Sequence, residues 1–297
     1  PDMGVQAVLD RFQQIEPCVL IACDGVRYAG RDMDRMAVVQ SLRDALPSVR
    51  HVIVHEHLGT ADLAQGDLGD SARLAQVLAR DDAATQAFAP QWLPFDHPLW
   101  IVYSSGTTGL PKPIVHTHGG SLLNGMAHKN VHYDVGCSYE PNSWGERFLW
   151  YSSTGWVMWN AQLSGLLSGT TCVIYDGNPG GTKERPDWGV LWRFAALAGI
   201  TFFGAGAAYY AGCLKADVRP CEVADLSRLR AVGSTGSPLS DECYDWIWER
   251  LPRIDGQPIW INPISGGTDF AGADPEGNAA ALAAELWRRS EAWVAAS

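Results

Sequence analysis

Residues Tyr103-Ser104-Ser105-Gly106-Thr107-Thr108-Gly109-Leu110-Pro111-Lys112-Pro113 decide how this chain is read. Leu99 to Tyr103 is an apolar run of β-formers and Pro113 to His116 is a second, so one strand enters the loop and another leaves it. Between them lie two glycines and four Ser or Thr hydroxyls, with Lys112 close behind. Such a loop can turn several backbone N–H groups and hydroxyls toward one anion, while the lysine adds a mobile positive charge. Phosphate is the natural ligand. The segment is not a Walker A loop, which needs four residues between its first Gly and the Gly-Lys pair and a helix directly after. A flexible Gly/Ser linker is the competing reading, and the flanking strands weigh against it.

Strands and helices alternate on both sides of this loop. Upstream, Val19 to Ala22 reads as a strand and His51 to His55 as the next. Between them Met36, Val39, Leu42 and Leu46 give Met33 to Leu46 a helical period, with Asp32 placed to cap the helix and Pro47 to stop it. That order favours a parallel pair with a crossover helix. Residues 59–94 read as a connector with one helix over Asp70 to Arg80. Downstream, strands are expected at Phe148 to Tyr151, Thr171 to Tyr175, Ile200 to Phe203, Leu229 to Val232 and Pro258 to Ile261. Helices are expected at Ser121 to Ala127, Trp159 to Leu167, Gly189 to Ala198, Ala207 to Ala216 and Asp241 to Arg250. The expected fold class is α/β.

The 297 residues are 46% apolar and 19% charged, which fits a globular protein and excludes disorder, collagen and coiled coil. With 33 acidic against 22 basic residues the net charge is -11, which opposes a broad nucleic-acid surface but allows a local anion pocket. Thirteen Trp and 31 Gly hint at aromatic-walled clefts and close backbone approaches. The seven cysteines form no CxxC pair, and the chain opens on Pro1 without an apolar signal core, so a cytoplasmic setting is expected. Two uncharged runs, Phe148 to Tyr175 and Phe194 to Leu214, have membrane-like length. The first is too rich in hydroxyls and amides, and Gly204-Ala205-Gly206 breaks the second into a strand and a helix, so no membrane span is expected. His51, His55 and His57 with Glu56 lack the His-Glu-x-x-His spacing of a helical metal site.

Three further segments follow the phosphate-type loop in order: Tyr151-Ser152-Ser153-Thr154-Gly155-Trp156-Val157-Met158-Trp159-Asn160, then Val232-Gly233-Ser234-Thr235-Gly236-Ser237-Pro238-Leu239, then Ile264-Ser265-Gly266-Gly267-Thr268-Asp269. Together the four segments resemble the core motifs of the adenylate-forming superfamily, which includes acyl-CoA synthetases, luciferases and peptide-synthetase adenylation domains. The loop at Asp176-Gly177-Asn178-Pro179-Gly180 and the opening Gly4 to Phe12 are most similar to its acetoacetate-activating branch. The likeness runs from about residue 4 to about residue 271.

The resemblance implies a layered αβ sandwich of mostly parallel sheets. It also implies an acid–CoA ligase in which the substrate carboxylate is itself the nucleophile on ATP. Ser104, Ser105, Gly106, Thr107, Thr108 and Gly109 with Lys112 would hold the β- and γ-phosphates, and Thr268 would contact the α-phosphate. Asp269, where most relatives have Glu, would bind Mg²⁺. Gly236, Ser237 and Pro238 would wall the adenine, and Trp156, Val157, Met158 and Gly266 would line the acyl pocket. Acetate-activating relatives carry bulky Trp at the Ser265-Gly266 positions, so Gly266 leaves room for a longer acid. ATP, CoA and a short acid such as acetoacetate are the implied partners.

The implied organisation is an α/β subdomain and connector over 1–90, a nucleotide- and acyl-binding subdomain over 91–272, and a divergent Ala-rich helical tail over 273–297. Past Ala271 the likeness stops, short of the family's ribose-binding aspartate and of the small mobile domain that carries the adenylation lysine. The expectation is therefore an incomplete lobe, weak or inactive by itself. The alternative is a noncatalytic nucleotide-binding or interaction module.

Overall fold

The structure is a computed structural model and describes residues 3–28, 30–61, 63, 68–104, 109–136, 145–182, 184–267 and 272–274. The chain divides into two compact units, residues 1–94 with 100–115 and residues 95–99 with 116–297.

The first unit begins with helix α1 (Val5–Phe12), strand β1 (Val19–Cys23), the hairpin of β2 (Gly25–Tyr28) and β3 (Arg31–Asp34), helix α2 (Met36–Ala45) and strand β4 (His51–His55). Strand β5 (Asp70–Arg73), the short helices α3 (Leu74–Leu78) and α4 (Ala83–Gln86), and the paired strands β6 (Pro98–Ser104) and β7 (Lys112–Thr117) follow. β1 and β4 pair in parallel, with α2 as their crossover. Leu20, Val52 and Val54 from the strands meet Val39 and Leu42 of α2 in one buried cluster, with Val5, Val8 and Leu9 of α1 packed against it. Burying such side chains is worth roughly 1.5–3 kcal/mol each, which holds the sheet and its helices together.

Two local expectations fail here. Asp32 does not cap α2: it lies in β3, where Arg27 donates to its carboxylate at 2.6 and 2.9 Å, and Asp34 instead accepts from the Met36 N–H at 2.8 Å. Asp70 to Arg73 is strand rather than helix, because its backbone pairs in parallel with β4.

The second unit holds helix α5 (His118–Ala127), strand β8 (Arg147–Trp150), helix α6 (Val157–Leu163), strand β9 (Thr171–Cys172), helix α7 (Val190–Leu197), strand β10 (Phe202–Gly206), helices α8 (Ala207–Lys215) and α9 (Pro220–Val223), strand β11 (Ala231–Thr235) and helix α10 (Asp241–Arg250). The hairpin of β12 (Arg253–Ile254) and β13 (Gln257–Pro258) leads to β14 (Trp260–Pro263), and β15 (Ser265–Gly267) pairs with β16 (Gly272–Asp274). Among the described residues the main sheet has five strands in the order β14-β11-β10-β8-β9, every pairing parallel. Strand order runs outward in both directions from between β8 and β10, which makes that gap a topological switch point.

This is the expected α/β class. The central strands β8, β10 and β11 are buried on both faces. Leu149, Phe203 and Val232 pack under α7, α8 and α10 with Trp192, Tyr210 and Ile247. Phe148, Trp150 and Phe202 pack with Tyr133 and Met158 on the other side. Ser240 caps α10 by accepting from the Cys243 N–H at 3.4 Å, and Asp241 and Glu242 in the first turn with Arg250 in the last suit the helix dipole. Among the described residues no helix is long and apolar enough to cross a membrane.

Candidate functional site

Of the phosphate-type loop, Ser104 ends β6 and is half-buried, Lys112 opens β7 with its side chain exposed, and Gly109 sits between them at φ +145. The loop is anchored within its own unit. Tyr103 donates its hydroxyl to the Arg11 carbonyl at 2.9 Å, and Gln14 at the end of α1 donates to the Pro111 carbonyl at 2.8 Å. Ser105, Gly106, Thr107 and Thr108 lie outside the described residues, as do Thr268 and Asp269.

In the second unit the next motifs converge. Trp156, Val157 and Met158 share one cavity of about 390 Å³ with Gly236, Ser237 and Pro238, and with Gly266. The cavity lies past the carboxyl ends of parallel strands: Trp156 follows β8, Gly236 follows β11 directly, and Ile264 to Gly266 follow β14. Open α/β sheets bind ligands at that end.

Each wall has a local cause. Trp156 precedes the first turn of α6, and its N–H donates to the Ser153 carbonyl at 3.3 Å. α6 is held to the sheet by Gln162, buried to 1% exposure, which accepts from the Trp150 N–H and donates to the Val173 carbonyl. Fixing α6 fixes Val157 and Met158 on its first turn. Gly236 has φ +91, a conformation open to glycine and strained for other residues, and the position of its missing Cβ is 3.4 Å from the Trp156 ring. The backbone can therefore turn under the indole. Thr235 donates its hydroxyl to the Ile264 carbonyl at 2.9 Å, and the Ile264 N–H donates to the Ser234 carbonyl at 2.8 Å, so the segments after β11 and β14 are tied together.

The sequence reading gives no role to Gln162, nor to Ser234, Leu239 and Ile264, which it quotes only as members of the motif segments. Gln162 and Ser234 are polar groups inside apolar surroundings, and without knowledge of burial a Gln on a helix and a Ser in a Gly-Ser-Thr run carry no such signal.

Among the described residues no group of three or more His, Cys, Asp or Glu gathers as a metal site. The His57 N–H is engaged by the buried carboxylate of Asp24, which also accepts from Leu58 and Thr60 at 2.9 and 3.0 Å. Among the described residues Cys18, Cys23, Cys172, Cys213, Cys221 and Cys243 are free thiols. Burial pushes the Cys213 thiol up to about 11, so it stays protonated at neutral pH.

A parallel sheet with Gly-bearing loops and an aromatic wall over a cavity at its carboxyl end defines an α/β domain of the kind that offers small-ligand sites at that end of the sheet. The family described as AMP-binding enzyme matches residues 1–260, and the chain belongs to it. Acetoacetyl-CoA synthetase of Gallus gallus is 34% identical over 275 residues, covering 91% of this chain and 38% of that protein. The enzyme of the same name from Rhizobium meliloti (strain 1021) is 38% identical over 280 residues, covering 94% and 40%. Malonamoyl-CoA synthetase of Penicillium aethiopicum is 36% identical over 287 residues, covering 91% and 38%. The solved acetoacetyl-CoA synthetase of Streptomyces lividans superposes with a TM-score of 0.80 at 44% identity, covering 92% of this chain and 39% of that one. The chain thus spans about two fifths of the length of these relatives.

Proposed function

We propose that this chain forms the nucleotide- and acyl-binding part of an ATP-dependent acid–CoA ligase acting on short acids with a carbonyl at the β position. In that reaction a carboxylate oxygen attacks the α-phosphorus of ATP and pyrophosphate leaves. The CoA thiolate then attacks the acyl carbon of the adenylate and AMP leaves. The observation that carries the reading is the cavity of about 390 Å³ lined jointly by Trp156 to Met158, Gly236 to Pro238 and Gly266. Acetoacetyl- and malonamoyl-CoA synthetases, by their names, both act on acids with a β-carbonyl, which narrows the acid class.

In this reading Gly236, Ser237 and Pro238 wall the adenine, while Trp156, Val157, Met158 and Gly266 receive the acid. Both belong to the subdomain over 91–272; the same reading keeps a subdomain over 1–90 and a tail over 273–297. Ser104, Ser105, Gly106, Thr107, Thr108, Gly109 and Lys112 hold the β- and γ-phosphates, and Thr268 meets the α-phosphate. Two anions must approach each other, so neutralising and orienting them is the main catalytic demand. Magnesium bound with ATP, with Asp269 as its protein ligand, supplies further positive charge at the phosphates. A cytoplasmic setting, where ATP and CoA are available, belongs to the same reading.

Isothermal titration of the chain with Mg-ATP and with acetoacetate tests the proposal, beside a pyrophosphate-release assay containing acetoacetate and CoA. Saturable binding of both ligands is expected. Binding of neither overturns the reading, and ATP binding without acid binding favours a nucleotide-binding module instead.

A further inference from the structure

The cavity that receives the acid contains one polar atom the fold leaves unused. Ser234 lines the cavity and is 3% exposed, and its Oγ has no hydrogen-bond partner among the described residues. Its neighbours differ. Thr235 spends its hydroxyl on the Ile264 carbonyl at 2.9 Å, and Ser237 is exposed to solvent. Ser265, the remaining hydroxyl of the lining, is only half-buried, and the buried lining otherwise includes apolar Met158, Leu239 and Ile264. A buried hydroxyl without a partner destabilises a fold, so its retention in a ligand cavity points to a partner that arrives with the ligand.

Resting on the reading of the cavity as the acid site, we infer that Ser234 is a specificity-determining residue whose hydroxyl donates to the β-carbonyl oxygen of the bound acid. The chemistry is selective in one direction. An acid with a β-carbonyl satisfies the buried donor. Its isostere with a methylene there, butyrate in place of acetoacetate, fills the same space and leaves the donor unpaired. Rejection of a ligand that lacks a hydrogen-bonding group comes from the site's own stranded polar atom, and apolar packing alone cannot supply it. The backbone of Ser234 is fixed by the Ile264 N–H bond of 2.8 Å, so the hydroxyl is presented from a strand end instead of a mobile loop.

The test compares acetoacetate and butyrate by saturation-transfer NMR and competition titration on the whole chain, as wild type and as Ser234→Ala, with melting temperatures of both. Wild type is expected to prefer acetoacetate by roughly tenfold, in the range of one buried hydrogen bond. Ser234→Ala is expected to lose that preference, mainly through weaker acetoacetate binding, and to melt at or above the wild-type temperature. Four results overturn the inference. Retention of the preference in Ser234→Ala, or its absence in wild type, removes the role of Ser234 while the cavity stays the acid site. A lowered melting temperature in Ser234→Ala means the fold itself uses the hydroxyl. Binding of neither acid by wild type removes the reading of the cavity and the inference with it.

Discussion

The indole of Trp150 occupies the space a side chain on Gly204 would need: a Cβ there would fall 2.2 Å from the indole Cε3. The two residues are register partners on β8 and β10, and Gly233, the partner of Gly204 on β11, would meet the same ring at 2.6 Å. Trp150 is 1% exposed, so the ring has no open side to move into. Gly204→Ala is therefore expected to cost at least about 1–3 kcal/mol, the range for overpacking a tight core. Urea denaturation reads this as a lower midpoint at unchanged slope. An unchanged midpoint would mean the ring relocates freely.

This pair also shows why the sequence was legible only in part. The expected strands end at Phe203 and at Val232, before Gly204-Ala205-Gly206 and before Gly233-Ser234-Thr235, because glycine punctuates structure locally. Both are strand, since β10 and β11 pair in parallel and their glycines make room for an indole from β8. That reason lies far away in sequence. Asp70 to Arg73 departs from the expected helix for the same cause, pairing with β4 overriding a helical pattern. What could be read locally was α10, expected over Asp241 to Arg250 and found over Asp241–Arg250. The convergence of Trp156 to Met158, Gly236 to Pro238 and Gly266 on one cavity was accessible only through the resemblance of ordered motifs. The unused hydroxyl of Ser234 required burial to be seen at all.

Gly266 lines the cavity proposed to receive the acid, without a side chain of its own. An indole there would fill much of the roughly 390 Å³ available. Gly266→Trp is expected to shift acid preference from acetoacetate toward acetate by roughly 10-fold or more, because removing room for three heavy atoms costs at least as much as misplacing a methylene. Titration of both acids into wild type and variant measures the shift, and an unchanged ratio would place the acyl chain elsewhere.

In the first unit Asp24 organises the chain after β4. Its buried carboxylate accepts from the backbone N–H groups of His57, Leu58 and Thr60 at 2.7, 2.9 and 3.0 Å. Burial raises its pKa, but the bonds from Leu58, Thr60 and His57 outweigh burial and hold it below the ordinary 3.8. The unfolded chain therefore takes up this proton first as pH falls. The stabilisation is fully present above about pH 4 and is lost as pH drops through the lowered folded value. Asp24→Asn is expected to cost about 1.5–3 kcal/mol at pH 7, the range for hydrogen bonds to a charged group. Urea midpoints at pH 7 and pH 3 should show the gap to wild type narrowing in acid. Amide exchange at Leu58 and Thr60 should accelerate in the variant at neutral pH.

Lys129 carries the opposite sign. It is 0% exposed, its Nζ has no hydrogen-bond partner among the described residues, and it sits 3.1 Å from the centre of the Phe148 ring and 4.7 Å from that of Tyr133. Burial pushes its amine well below the ordinary 10.5, against a smaller upward pull from Cys172. The unfolded lysine becomes protonated near its ordinary value while the folded amine stays neutral further down, so between the two values the unfolded state binds more protons. Wild-type stability should therefore fall as pH drops from about 10.5 and level off below the folded value. Lys129→Met keeps the apolar stem and removes the amine, and is expected to stabilise the protein by about 1–3 kcal/mol at pH 7, the mutational cost of an unpaired buried polar group. Urea midpoints at pH 10, 8.5 and 7 should show variant and wild type converging toward the alkaline end and separating toward neutrality. Parallel curves across that range would mean that Lys129 titrates alike folded and unfolded, with its ammonium solvated.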